Sequence, residues 1–418
     1  MRTSQTRPHI RTLRARYLFP VTGEPIPDGL LSIAGGRIVA VGRQLGGAPG
    51  GYPVEDLGNV AVLPGLVNAH THLEFSDLSE PLGSPGMGFV DWIRRIIELF
   101  RQDRSPSAGP IGRGLRECVR SGTTTLGEIA QPGWSAEVFQ GVALEATVFL
   151  ELIAPTPERV APLLEMAPQH LRAADPSGPW RPGLSPHAPY SVLPQLLTAA
   201  VSLSATGRVP IAFHLAESRE ELQLLRSGNG PFRDCFDELG TCHPDLFGRG
   251  TRPLDYLHTL AAAHRTLIVH GNYLDQEEIA FLAAQAERMS VVYCPRTHAY
   301  FGHDAYPLGQ MLAAGVTVAL GTDSRASSPD LSLLAEIRFV AQRYPAVGRD
   351  VVLRLGTING ARALGRDQEI GSLEPGKYAN LAVVALPDRD AADPHELLFD
   401  SGQPVVATWF RGTLIADC

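Results

Sequence analysis

Two histidines one residue apart, His70 and His72, close an apolar run in Leu63-Pro-Gly-Leu-Val-Asn-Ala-His-Thr-His-Leu-Glu-Phe-Ser76. Side chains alternate faces along a strand, so residues two apart point the same way. Two imidazoles aimed at one point supply two ligands of a histidine-based metal site. A surface strand end carrying two unrelated histidines would look the same locally, and the rest of the chain has to decide.

The elements that would position such a site occupy residues 60–365. Strand-like runs alternate with helical patterns there, the signature of βα units. Eight runs stand out, ending at or just before residues 70, 128, 153, 187, 214, 270, 294 and 323. The first covers 60–67 and is broken once by Pro64-Gly65. A Pro/Gly-rich loop at 81–88 leads into 89–100, where Trp92, Ile93, Ile96, Ile97 and Phe100 fall at helical spacing. Eight such units in one α/β domain predict a (β/α)8 TIM-like barrel. Residues 228–265 exceed one helix and predict an extra helical excursion. Short apolar runs cut by turn residues fill about 10–58 and 371–415. That texture predicts a small β-sandwich domain built from both termini, 1–59 and 366–418, beside a catalytic barrel over 60–365.

The polar residues fall at the strand ends. His70 and His72 close the first run, His187 the fourth, His214 the fifth, His270 the sixth and Asp323 the eighth. In a barrel of this type the carboxyl ends of the strands form the active-site face. Packing alone does not put five such coincidences at the same end of successive strands. One zinc or ferrous ion held by His70, His72, His214 and Asp323 would keep a position open for water. Such an ion lowers the water's pKa from about 15.7 towards about 7. Glu217, three residues past His214, would stand beside it and carry a proton to the leaving side of a substrate. The competing reading puts Glu217 in the first turn of a helix, where acids favour the positive end of the dipole. His9, His170, His243, His258, His264, His303 and His395 lack the pattern and are not expected as ligands.

Composition bounds the function. The chain has 418 residues, 44% hydrophobic and 19% charged, enough for one large core and a smaller unit. A net charge of −8 without a basic block disfavours nucleic acid and anionic membranes as partners and leaves a small-molecule substrate. No apolar run approaches membrane-spanning length, and residues 1–16 lack the apolar segment of a secretory signal. Five scattered cysteines without a C-x-x-C fit reduced thiols, hence a cytoplasmic setting. Composition leaves pairing into a homodimer open.

Pro64-Gly-Leu-Val-Asn-Ala-His-Thr-His72, the His-x-x-Glu at 214–217, Val269-His-Gly271 and Leu320-Gly-Thr-Asp-Ser324 resemble, as a set, the amidohydrolase superfamily in its deaminase and chlorohydrolase branch. The resemblance runs from about residue 10 to the end. It implies a metal-dependent hydrolase of non-peptide C–N bonds with His70, His72, His214 and Asp323 as ligands. His270 would orient the attacking water, and Asp323 would accept its proton. Glu217 would protonate a ring nitrogen and assist the departure of ammonia. Some relatives bridge two metals through a carboxylated lysine on the fourth strand. Here the single lysine is Lys377, in the terminal β-domain, so one ion is expected, zinc first and iron(II) second.

Finer resemblances bear on the substrate. Ser185-Pro-His-Ala-Pro-Tyr-Ser191 is similar to the segment with which adenosine-type deaminases, those acting on methylthioadenosine and S-adenosylhomocysteine, contact the nucleoside. That implies substrate binding by His187. The stretches 121–128 and 214–232 resemble aminofutalosine deaminases of the alternative menaquinone route. Glu74, Trp92, Glu128, Arg296 and Ser328 are further candidates for the pocket. Each has a structural alternative, such as helix packing for Trp92 or a surface ion pair for Arg296. Segments 269–273 and 294–301 are also expected to line it. The expected reaction is hydrolytic deamination of an aminopurine nucleoside-like compound, with 6-amino-6-deoxyfutalosine foremost. Loss of chloride from a triazine, opening of a ring amide, or an inactive scaffold are the alternatives.

Overall fold

Runs of β-branched and other apolar residues with turn residues between them become strands wherever a neighbour buries at least one of their faces. A computed structural model describes residues 10–44, 54–101, 108–175, 177–241, 243–246 and 250–417. Expectations resting on residues 1–9 (His9 included), Cys242 and Cys418 lie outside these. The first sheet takes β1 (Arg11–Leu18), β2 (Ile26–Ala34), β3 (Arg37–Gly42), β4 (Val54–Asp56) and β5 (Val60–Pro64). The second takes β6 (Leu66–Thr71), β7 (Thr123–Ala130), β8 (Glu145–Leu152), β9 (Trp180–Pro186), β10 (Pro210–Leu215), β11 (Arg265–His270), β12 (Met289–Tyr293) and β13 (Thr317–Leu320). The chain then returns to the first sheet through β14 (Leu381–Ala385), β15 (Val405–Phe410) and β16 (Thr413–Asp417).

The second sheet is parallel throughout and runs in sequence order from β6 to β13, the eight strands expected from the sequence. It closes between β13 and β6. Asn68 donates from Nδ2 to Thr322 Oγ1 at 2.8 Å and accepts the Thr322 N–H at 3.1 Å, while the Asp323 N–H reaches His70 O at 3.1 Å. One buried amide side chain thus completes the ladder at the closure. Val67, Ala69, Ile129, Phe149, Ala212, Leu267, Val269, Val292 and Ala319 fill the barrel interior, with the short helix Ile358–Ala363 packed below them. Residues of the opposite parity, such as Leu150, Leu152, Ile211, Phe213 and Ile268, pack outward against the surrounding helices. The helix Phe89–Arg101 follows β6, as its spacing predicts, and the excursion after β10 holds the helices Pro231–Glu238 and Pro253–Leu260.

The first sheet, ordered β16-β15-β14-β5-β1-β2-β3 with β4 beside β1, draws on both termini. It encloses its own apolar core of Leu13, Leu18, Leu31, Ile38, Val62, Leu381, Val383 and Trp409, and fits the β-sandwich unit. The apolar run at 60–67 divides between the two sheets. Val60–Pro64 pairs with β1 and β14, and only after Gly65 does the chain enter the barrel. A side chain at Gly65 would run into Thr124, so the crossing point has room only for glycine.

Candidate active site

Strand alternation places most of the site. Ala212 points into the barrel, so His214, two residues on, does too, at the carboxyl end of β10. By the same rule Ser185 and then His187 follow Gly183 inward on β9, since Leu184 packs outward. Two strands depart from simple alternation. In β6 the register against β7 shifts between Asn68 and Thr71, an irregularity that re-aims side chains, and His70 turns to the axis although Ala69 already faces it. His270 follows the inward Val269. Its φ of 69°, in the left-handed region, breaks the alternation and brings its ring into the site. Asp323 lies beyond the end of β13, also left-handed at φ 58°. Backbone strain at two residues of one site is stored where function gathers.

The side chains converge. One ring nitrogen each from His70, His72 and His214 lie within 4.8 Å of one another. Asp323 Oδ1 stands 3.8 Å from His70 Nε2 and 4.0 Å from His72 Nε2. His214 Nδ1 lies 3.0 Å from His187 O and donates to it, which leaves Nε2 as the free lone pair facing the cluster. Both ring nitrogens of His70 are buried with no protein partner. A buried imidazole without a partner is costly unless something else satisfies it. Burial first, and then the neighbouring histidines, hold His70 well below the usual imidazole range. Burial does the same for His72 and takes His214 to about 4, so all three are neutral, the form that binds a metal. Burial pushes Asp323 up to about 6 against the hydrogen bond from Ser327 Oγ to its Oδ2. Three neutral imidazoles and one carboxylate around a shared space fit one divalent cation.

Opposite this set, Glu217 Oε1 lies 3.2 Å from His270 Nε2. The backbone at Ala216 and Glu217 is pinned by three hydrogen bonds. Glu221 accepts the N–H groups of Ala216 and Glu217, both at 2.8 Å, and Asn272 donates to Glu217 O at 2.8 Å. Burial, followed by the charges of Asp323 and Glu221, raises the Glu217 carboxyl well above its ordinary value. Tyr306 fixes the other side of the pair by donating to His270 O at 3.0 Å.

A cavity of about 800 Å³ opens from this cluster. His72, His214, Glu217, His270, Asp323 and Ser324 line its inner end, and the helix Phe89–Arg101 gives it an apolar wall through Phe89, Trp92, Ile93, Ile96 and Ile97. Of the six residues expected at the pocket, His187, Glu74 and Trp92 line it. The structure places the other three elsewhere. Glu128 has the opposite parity to the inward Ile129. It faces β6, where its carboxylate accepts Thr71 Oγ1–H at 2.6 Å and Leu73 N–H at 2.9 Å. Arg296 is consumed by ion pairs to Glu336 Oε1 at 2.5 Å and Asp330 Oδ1 at 2.7 Å. Ser328 is fully buried, with its hydroxyl on Asp330 O at 3.1 Å. From 269–273 and 294–301 only His270 reaches the cavity wall. Sequence reasoning missed Glu151, Gln131 and Tyr190. Glu151 was the findable one, being the sole charge near the carboxyl end of an apolar strand and two residues past the inward Phe149.

The profile of the amidohydrolase family matches residues 61–415. The chain belongs to the amidohydrolase family. It is a hydrolase acting on C–N bonds. The chain is 30% identical over 403 residues to 5-methylthioadenosine/S-adenosylhomocysteine deaminase of Moorella thermoacetica, covering 90% of this chain and 85% of that one. It is 30% identical over 358 residues to aminodeoxyfutalosine deaminase of Deinococcus radiodurans, covering 79% and 81%. Among solved structures, Helicobacter pylori aminofutalosine deaminase superposes with a TM-score of 0.84 at 22% identity, over 98% of this chain and 100% of that one. Atrazine chlorohydrolase of Arthrobacter aurescens, complexed with zinc, gives 0.80 at 21% identity over 97% and 95%. At these identities the last two speak for the fold alone. Among the described residues no helix is long and apolar enough to cross a membrane.

Proposed function

We propose that this amidohydrolase deaminates an aminopurine nucleoside, with 6-amino-6-deoxyfutalosine the foremost substrate. The observation that carries the reading is the placement of Glu217. A buried carboxyl, held towards its protonated form, stands 3.2 Å from His270 and across from the His70, His72, His214 and Asp323 set. A divalent ion in that set, zinc by preference, supplies the Lewis acidity that brings a water's pKa towards about 7. The chain's own groups do the rest. Glu217 hands its proton to a nitrogen of the aromatic ring, making the adjacent amino-bearing carbon electrophilic. His270 holds the attacking water on the other side and stabilises charge that develops there. Asp323 takes up one proton of the water and returns it to the amino nitrogen, so that ammonia leaves as a neutral molecule. Glu217 takes the remaining hydroxyl proton as the ring carbon becomes a carbonyl and so regains its acid form. The cavity's apolar wall, Phe89, Trp92 and Ile93, suits the faces of a flat base, and His187 presents a polar edge beside it. Names of relatives that act on methylthioadenosine, S-adenosylhomocysteine and aminodeoxyfutalosine support the same substrate class.

The test is ammonia release from aminofutalosine, adenosine, methylthioadenosine and S-adenosylhomocysteine by protein of known metal content. Turnover of at least one is expected. Glu217→Gln should lower kcat about 10²- to 10⁴-fold, the span assigned to a general acid, with the metal count unchanged. No ammonia from any of the four by protein holding one metal per chain would sink the deaminase reading.

A further inference from the structure

The proposed reaction leaves one charged group of the cavity unused. Glu151 lies near the carboxyl end of β8, 4% exposed, on the wall of the cavity. Among the described residues its carboxylate accepts no hydrogen bond, and the His187 imidazole stands off with its Nε2 4.0 Å away. His187 cannot close that gap without giving up Ser191, whose hydroxyl holds its Nδ1 at 2.6 Å. A buried carboxylate without donors is destabilising, and proteins keep such groups where a ligand brings the donors. A second carboxylate faces the same space. Glu74, two residues beyond His72, lines the cavity, and its Oε1 is buried without a partner, with Gln131 beside it.

Position narrows what these acceptors await. From the metal ligands outward, the wall runs from His214 to His187, ring centroids 4.9 Å apart, and then to Glu151. Glu151 therefore stands along the wall beyond His187, one side chain further from the reacting centre than the ring that neighbours His214, and Glu74 shares its field across the cavity. A nucleoside with its amino-bearing carbon at that centre brings its pentose to this level. Its two adjacent hydroxyls are strong donors, and an acidic side chain takes up ribose hydroxyls in the same manner in dinucleotide-binding folds. We propose that Glu151, together with Glu74, forms the subsite that accepts the vicinal hydroxyls of the substrate's pentose. This inference rests on the aminopurine-nucleoside reading above and adds a specificity residue to it.

The test needs no turnover. Binding of inosine and of 2′,3′-dideoxyinosine to the zinc-loaded full chain is measured by calorimetry for the wild type, Glu151→Leu and Glu151→Gln. The wild type is expected to bind inosine about 10- to 100-fold more tightly, the range for a hydrogen bond to a charged group. Glu151→Leu should abolish that ratio by weakening inosine alone, and the near-isosteric Glu151→Gln should reduce it. Equal wild-type affinities would overturn the proposal. So would a loss shared equally by both nucleosides in both variants, which assigns Glu151 to structure. Tighter binding of 3′-amino-3′-deoxyinosine than of inosine would assign the pair to a cation and overturn it as well. Failure of the deaminase reading registers separately, as absent ammonia release alongside an intact inosine preference.

Discussion

Behind His270 lies a second pair of histidines, one buried and one half-buried, that no proposed step uses. His298 and His303 have ring centroids 5.4 Å apart, and the Nε2 atom of each is buried with no protein partner. His303 Nδ1 meets Tyr273 Oη at 3.1 Å. Burial takes both imidazoles down from 6.5 to about 4. A group whose folded pKa lies below its unfolded value binds its proton first in the unfolded chain. Its stabilisation is therefore complete above about 6.5 and is lost as pH falls through about 4. Denaturant midpoints should fall across that window. His298→Gln and His303→Gln should each flatten the fall, and an unchanged pH slope in both variants would rule these residues out as its source.

At the scale of single elements, β6 carries the greatest burden. It carries His70 and leads directly into His72, two of the proposed metal ligands, closes the barrel through Asn68 and breaks register against β7. Glu128 secures the carboxyl end of β6 from the neighbouring strand by accepting from Thr71 and Leu73, the residues flanking His72. Glu128→Ala would leave a buried hydroxyl and a buried N–H unpaired, at about 1–3 kcal/mol for each group left without a partner. Metal affinity should drop about 10- to 100-fold, as it does when groups that orient a ligand are removed. Glu128→Gln, which can still bridge both donors once the Thr71 hydroxyl rotates, should lose much less. Competition with a chelating dye measures both, and equal affinities for the wild type and the Ala variant would refute the role. The expectation of Glu128 in the pocket failed over one residue of phase. Its strand was legible, but only Ile129 in the barrel core shows which set of alternate residues faces inward.

On the scale of the whole molecule, the two sheets are joined by more than the chain crossing at Gly65. Glu145, at the start of β8, receives Arg366 on one oxygen and Arg411, from the turn between β15 and β16, on the other. Arg366 is only 3% exposed and keeps a second bond to Glu369 at 2.6 Å. Glu145→Ala would strand the buried Arg366 guanidinium at the junction of barrel and terminal sheet, while the exposed Arg411 would turn to water. Removing one member of a buried pair costs about 3–5 kcal/mol, and the surviving Glu369 contact puts this case at about 3 kcal/mol. Urea unfolding should show that loss with kcat unchanged, because the triad sits at the amino end of β8, away from the catalytic face. A fall in kcat without a loss of stability would contradict this division of labour.

Local chemistry and periodicity alone determined the eight barrel strands, the two-ended β-unit, and the clustering of His70, His72, His187, His214, His270 and Asp323 at the strand ends. Those features follow from short-range rules, apolar runs between turns and a polar residue at each carboxyl end, which a linear chain displays openly. Tertiary structure decided the rest. It divided one apolar run between two sheets at Gly65 and brought Asn68 to Thr322 across 254 positions of chain. It turned His270 inward through a positive φ, withdrew Arg296 into ion pairs and placed Glu151 in the cavity wall with no hydrogen-bond donor among the described residues. The physical reason is that alternation defines two faces of a strand but not which one the barrel encloses. Only the packing of the other seven strands and their helices fixes that choice.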